Sequence, residues 1–241
     1  MKVVILAGGL GTRMGNESKN KPKPMSKIGN MPIICHIMNR YAYFGLSDFV
    51  ICAGHKGNVL KDFFKNSFNP EPVEKKFNVK FNVKVVDTGK STMTGGRLKR
   101  VERFLDDETF CFTYGDTLND LNIKKSILYH KKQRAFATVT ACKPNENFGI
   151  LILNHSKVTQ FKEKPIKENW VNGGYFILEP KIFDYINDDE TVWEKEPMQK
   201  LVKKKQLSAF RHTGFYQPMD TINERDYLEK LWKEKKAPWK V

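Results

Sequence analysis

A glycine-rich run followed by closely spaced cations carries the strongest chemical signal in the chain. Residues 6–14 read Leu-Ala-Gly-Gly-Leu-Gly-Thr-Arg-Met. Glycines directly after an apolar strand let backbone N–H groups approach a phosphate with no Cβ in the way. Two common phosphate loops do not fit. A dinucleotide fingerprint needs a third glycine where Met14 stands and an acid closing the second strand, which instead ends Cys52-Ala53-Gly54-His55-Lys56. A Walker A loop needs Gly-Lys-Ser/Thr, which this loop lacks. The loop continues instead into Arg13, Lys19, Lys21, Lys23 and Lys27. In Lys21-Pro22-Lys23-Pro24 each proline fixes its own φ and pushes the lysine before it towards an extended conformation. A stiff, doubly charged segment beside a glycine loop suits a triphosphate, whose charge builds on departing pyrophosphate during transfer. The competing reading is a basic surface loop that touches nothing.

Carboxylates supply the second half of such chemistry. Asp116 follows Tyr114-Gly115 at the carboxyl end of an apolar strand, the edge where α/β proteins bind ligands. An aspartate there can reach magnesium, which takes one or two carboxylates and fills its shell with phosphate oxygens and water. A helix cap is the alternative for Asp116, and equally for Asp220 ahead of the last helix. Glu163-Lys164 could accept from hydroxyls and pair with a phosphate, or form a surface ion pair. His36, among Cys35, Ile37 and Met38, reads as a packed side chain, and His55 carries no evident role. Cys35, Cys52, Cys111 and Cys142 show no C-x-x-C spacing, so buried free thiols are expected and a zinc site is not. Trp193, Phe215, Tyr216 and Trp232 read as core or subunit contact rather than a stacking platform.

The elements that must position these residues follow from periodicity. Continuous apolar character predicts buried strands over 2–7, 48–53, 83–87, 109–114 and 135–141. Helical spacing is read over 32–44, 59–64, 95–104 and 123–130, and again over 181–186, 198–204 and 223–235. Residues 66–84 read as a loop with a short strand. Short antiparallel pieces are expected over 149–153, 158–161 and 173–178. The prediction is one domain over 1–241. It is an α/β fold with a Rossmann-like, mixed but mostly parallel sheet flanked by helices, plus a small antiparallel extension.

A net charge of +15 over 241 residues is the one compositional anomaly. Runs such as Lys203-Lys204-Lys205 read as solvated helix faces. A non-catalytic nucleic-acid-binding protein is the reading from a different class. No aromatic RNP-like motif or helix-turn-helix spacing supports it, so no nucleic-acid partner is expected. No apolar run is long enough for a membrane span, and residues 1–6 are too short for a signal peptide, so a cytoplasmic protein is expected.

Taken together, the run Ile5-Leu6-Ala7-Gly8-Gly9-Leu10-Gly11-Thr12-Arg13 and the segment Lys21-Pro22-Lys23-Pro24-Met25 resemble the sugar-phosphate nucleotidyltransferase family. Further matching motifs extend the resemblance over nearly the whole chain. They are Met93-Thr94-Gly95-Gly96-Arg97, Phe112-Thr113-Tyr114-Gly115-Asp116, Glu163-Lys164-Pro165, Asn172-Gly173-Gly174, Trp193-Glu194 and Gln217-Pro218-Met219-Asp220-Thr221. It is strongest to members that use CTP and release pyrophosphate as they convert glucose 1-phosphate to CDP-glucose. The resemblance implies that Leu6, Ala7, Gly8, Gly9, Gly11, Thr12 and Arg13 wrap the nucleotide, with Gly115 nearby. Arg13 and Lys23 would be catalytic, with Lys21 the alternative lysine. Thr94, Gly95 and Arg97 would lie against the base; the turn looks cytidylyl-type because uridylyl and thymidylyl relatives carry a glutamine-glycine motif there. Asp116 and Asp220 would hold Mg2+. Tyr114, Glu163, Lys164, Asn172 and Gly173 would border the acceptor, and a homo-oligomer is implied. Three departures bear on the acceptor: a shortened stretch over 64–85, Thr117 where a glycine is usual, and a short 165–172 connection carrying Trp170. They leave open a polyol phosphate or a phosphorylated amino-acid amide such as phosphoglutamine, used in surface-polysaccharide assembly.

Overall fold

A computed structural model describes residues 1–11, 14–15, 20–143, 150–162 and 170–241. Its centre is a seven-stranded sheet. Strand β1 (Val3–Ala7) lies between β4 (Asp48–Ala53) and β6 (Phe110–Tyr114), parallel to both, and β5 (Asn82–Asp87) continues the parallel set beyond β4. On the other side of β6 the order runs β11 (Val171–Leu178), β8 (Ala137–Cys142) and β12 (Leu207–His212). Only β11 runs against its neighbours in this sheet.

Both faces of the sheet are covered, and the alternation of strand side chains shows it. Val3, Ile5, Phe49 and Ile51 point into one core with α1 (Ile33–Tyr43). Val4, Val50, Phe110 and Phe112 point into the other, with Leu98 and Val101 of α4 (Thr94–Val101). That double coverage explains the unbroken apolar runs of the central strands. Helices α2 (Gly57–Asn66) and α3 (Glu71–Phe77) lie between β4 and β5. Helix α5 (Ile123–Gln133) precedes β8, and α6 (Glu196–Lys203) precedes β12. Helix α7 (Ile222–Lys233) closes the chain from a capping box, in which Thr221 and Glu224 satisfy each other's backbone N–H groups. Among the described residues no helix is long and apolar enough to cross a membrane.

Small two-stranded sheets complete the fold: β2 (Lys27–Ile28) with β3 (Met31–Pro32), β9 (Ile150–Asn154) with β10 (Lys157–Lys162), and β7 (Thr117–Asn119) with β13 (Tyr216–Pro218).

Several expectations need correction. The 173–178 strand is no peripheral extension but the middle of the main sheet, where it joins β6 to β8. Part of the 66–84 loop is α3, whose seven residues include no fully buried side chain and so leave little apolar period to read. Residues 180–185 are 3-10 rather than α-helical. The aromatic group divides between the two faces. Trp193 packs with Phe112 and Phe176, whereas Phe215 and Trp232 belong to the opposite core with Trp239.

Candidate active site

The site lies at the carboxyl ends of β1 and β6, where the chain order reverses about β1, the position at which open α/β sheets bind ligands. Three segments distant in sequence meet there. Lys23 begins a 3-10 turn that Pro22 and Pro24 stiffen. Its ammonium donates to Asp116 Oδ2 at 2.7 Å and also contacts Asp220 Oδ1. Backbone bonds fix both acids: Gly115 N–H donates to the Leu6 carbonyl, and Met219 N–H to that of Asp116. The β7–β13 pairing sets Pro218 opposite Thr117, and so brings the two carboxylates to one ammonium. Asp220 N–H donates to Glu224 Oε2 at 2.6 Å, so the capping box of α7 also positions the second acid.

These bonds answer the alternatives left open for the acids. Asp116 precedes a strand, not a helix, and the cap of α7 is Thr221 rather than Asp220. Thr117 is buried and donates its hydroxyl to Asp116 Oδ1 at 3.2 Å. Burial pulls the Lys23 pKa down, but Asp116 and Asp220 outweigh it and hold the ammonium above its ordinary value.

Two adjoining cavities open from this cluster. The smaller, about 330 Å³, is bounded by the cluster together with Leu6, Ala7, Gly9 and Gly11. The larger, about 780 Å³, shares Leu6, Gly9 and Asp116 with it and extends past Gly8, Gly115 and Thr94 to Tyr114 and Asn172. Polar contacts cross its floor. Glu194 accepts from the Tyr114 hydroxyl with Oε1 and from Thr94 Oγ1 with Oε2, the latter at 2.6 Å. Asn172 Nδ2 donates to the Tyr114 oxygen at 3.1 Å. Burial, then the Glu194 carboxylate, raise the Tyr114 pKa well above the ordinary phenol value, so this hydroxyl is a donor and not a base.

Most of the site residues expected from sequence converge here, but three serve other ends. Arg97 lines the larger cavity, yet it is only 5% exposed and its guanidinium is spent internally. It donates to Thr88 Oγ1 at 2.9 Å and to the Gly89 and Lys90 carbonyls at 2.7 and 3.3 Å. Gly95 is not a cavity residue. Its N–H donates to the Thr191 carbonyl and docks α4 on the 188–191 turn. Gly173 also lies off the cavity, in the register shift of β11. A Cβ there would stand 2.5 Å from Cys142 Sγ, so the glycine permits close strand approach. Trp170 packs against Lys143 and Arg211 instead of lining either cavity. Thr12, Arg13, Glu163 and Lys164 lie outside the described residues.

Sequence reasoning missed the wall formed by Lys90, Ser91 and Thr92, and the role of Glu194. The Trp193-Glu194 pair was visible as a matching motif, but nothing in its spacing marks the glutamate as facing a cavity.

The nucleotidyl transferase family profile matches residues 2–232. The chain belongs to this family. It is 48% identical to a glucose-1-phosphate cytidylyltransferase of Salmonella typhimurium, an alignment covering 100% of this chain and 99% of that one. Aligned positions number 255 against 241 residues here, so the alignment places gaps within this chain. A mannose-1-phosphate guanyltransferase of Yarrowia lipolytica is 32% identical over 95% of this chain and 62% of its own. The solved structure of a UDP-glucose pyrophosphorylase complexed with UDP-glucose has the same fold. It superposes with a TM-score of 0.75 at 18% identity, covering 97% of this chain and 98% of that one. This chain is thus a nucleotidyltransferase, of a family that generally works with a divalent metal.

Proposed function

We propose that the protein transfers CMP from CTP to α-D-glucose 1-phosphate, forming CDP-glucose and pyrophosphate in a magnesium-dependent reaction. The observation that carries this reading is the junction at Asp116. There, a cation site of one lysine and two acids meets a cavity large enough for a nucleotide and a sugar phosphate. The full-length likeness to a glucose-1-phosphate cytidylyltransferase supports the choice of base and acceptor.

The donor set fits the metal. Asp116 Oδ2 and Asp220 Oδ1 already share one cation, the Lys23 ammonium, and magnesium needs few protein carboxylates when phosphate oxygens complete its shell. A divalent ion held by these acids would neutralise triphosphate charge during in-line displacement. Lys23, relieved of the acids, can then pair with the phosphates. The acceptor's phosphate oxygen attacks the α-phosphorus and forms the new P–O bond. The bond from that phosphorus to the oxygen bridging the β-phosphate breaks, and pyrophosphate leaves with the electron pair. No enzyme base is required, because a phosphate monoester near neutral pH is already a nucleophile. Catalysis then rests on positioning and charge neutralisation.

Pyrophosphate release with CTP, magnesium and α-D-glucose 1-phosphate tests the reading, with product mass measured and UTP, dTTP and ATP run in parallel. CDP-glucose formed with CTP in preference to the others supports it. Turnover with polyol phosphates but not with glucose 1-phosphate would overturn the acceptor.

A further inference from the structure

Glu194 is a carboxylate on the wall of a cavity proposed to receive two anionic substrates, which is an unfavourable place for a negative charge unless it has donors to meet. Among the described residues no cation pairs with it. Two hydroxyls do: Thr94 on one oxygen and Tyr114 on the other. A carboxylate offers about four lone-pair sites, so about two remain for a ligand.

The surroundings hold the carboxylate in place. Thr94 Oγ1 accepts the Trp193 N–H at 2.9 Å while it donates to Glu194, and Trp193 is fully buried. Tyr114 Oη accepts from Asn172 while it donates to Glu194, and Asn172 Oδ1 in turn accepts the Gly174 N–H at 2.9 Å. With both protein hydroxyls committed as donors, the chain Asn172–Tyr114–Glu194–Thr94 presents mainly acceptor capacity to the cavity. What it lacks is a set of ligand hydroxyls.

We propose that Glu194 is a specificity-determining residue that accepts hydroxyl groups of the acceptor's sugar ring. The assignment rests on the transferase reading above and names the part of the acceptor that this cavity selects. The position favours the acceptor over the base. Although one oxygen meets Thr94, Glu194 is tied by the other to Tyr114, two residues from Asp116, and through it to Asn172 of β11, both residues expected to border the acceptor. A ligand that carries the phosphate but few hydroxyls, such as a phosphorylated amide, leaves the carboxylate unmet.

Calorimetric titration of α-D-glucose 1-phosphate and its 2-, 3-, 4- and 6-deoxy analogues provides the test, with magnesium and a non-hydrolysable CTP analogue present. Wild type should bind at least one deoxy analogue about tenfold more weakly than the parent, as expected for a lost hydrogen bond to a charged group. Glu194→Gln should weaken the parent by a similar factor, shrink that deoxy penalty to about twofold, and leave affinity for the CTP analogue within about twofold. Equal binding of every analogue by wild type overturns the inference, whatever the variant does. So does a Glu194→Gln protein that loses CTP-over-UTP discrimination with acceptor binding unchanged, since the carboxylate would then read the base. Glu194-dependent binding without turnover supports this inference while overturning the proposed reaction. Wild type that binds no glucose 1-phosphate overturns both.

Discussion

The Lys23 ammonium stands 2.7 Å from Asp116 Oδ2 and also touches Asp220 Oδ1, although these partners lie 93 and 197 residues further along the chain. One protein cation therefore rests on the two oxygens proposed to hold a metal. Two consequences separate. Lys23→Met removes the ammonium that bridges the two acids, so the variant should bind Mn2+ about tenfold more tightly than wild type in the absence of nucleotide. The same variant should turn over at least about 100-fold more slowly, because a preorganised charge opposite the departing pyrophosphate is gone. Electron paramagnetic resonance of free Mn2+ reads the first effect and pyrophosphate release the second. Unchanged Mn2+ affinity would show that Lys23 does not compete for the acids.

Gly115 and Gly9 border the same site under opposite constraints. A Cβ on Gly115 would stand 2.5 Å from the Leu6 carbonyl oxygen, which is backbone of the central strand and cannot move aside. One on Gly9 meets no atom within 4 Å. Gly115→Ala is expected to cost more than about 2 kcal/mol of folding stability and Gly9→Ala less than about 0.5 kcal/mol. Urea denaturation of the two variants makes the comparison; equal losses would mean that the β1–β6 approach is looser than described.

How far the sequence alone reaches depends on what kind of signal each element leaves. Strands β1, β4 and β6 are buried on both faces, so they appear as continuous apolar runs, and Asp116 inherits its place from β6. Strand β11 is equally buried, but its pair of glycines and its register shift make it resemble a short peripheral piece. Helix α3 has no fully buried side chain and leaves only a faint apolar period. Asp220 became a candidate through resemblance, because the β7–β13 pairing that brings it to Asp116 involves three-residue strands with no patterning of their own. Arg97 was legible as a cation in a motif, but that its donors would be consumed by backbone carbonyls is a tertiary fact.

That internal use of Arg97 makes it a test of architecture. Its guanidinium serves Thr88 Oγ1, Gly89 O and Lys90 O from a position only 5% exposed, and so holds the wall of the larger cavity against β4 and β5. Lysine keeps the charge but cannot reproduce the planar fork. Arg97→Lys is expected to lose about 2 kcal/mol of stability, with a higher KM for CTP as the 89–92 segment shifts. Denaturant midpoints together with CTP kinetics check this. A variant with unchanged stability and a changed KM alone would instead place the guanidinium on the nucleotide.

His36 supplies a pH dependence remote from the catalytic cluster. Its imidazole is 4% exposed on α1, donates from Nε2 to the Ile28 carbonyl at 2.9 Å, and accepts at Nδ1 from the Trp239 indole N–H at 3.3 Å. The ring is therefore held neutral, and burial lowers its pKa from 6.5 to about 4. Below pH 6.5 the unfolded chain takes up a proton that the folded protein refuses. The contribution of His36 to stability is thus complete above about 6.5 and is lost as pH falls towards 4. The loss should be roughly 3 kcal/mol over the whole interval. Glutamine can donate and accept from one amide without titrating, so His36→Gln should flatten this part of the profile. Urea unfolding from pH 7.5 to 4.5 should show wild type losing stability more steeply than His36→Gln. Identical slopes would mean that the loss on acidification comes from groups other than the one that latches Trp239 to the body of the protein.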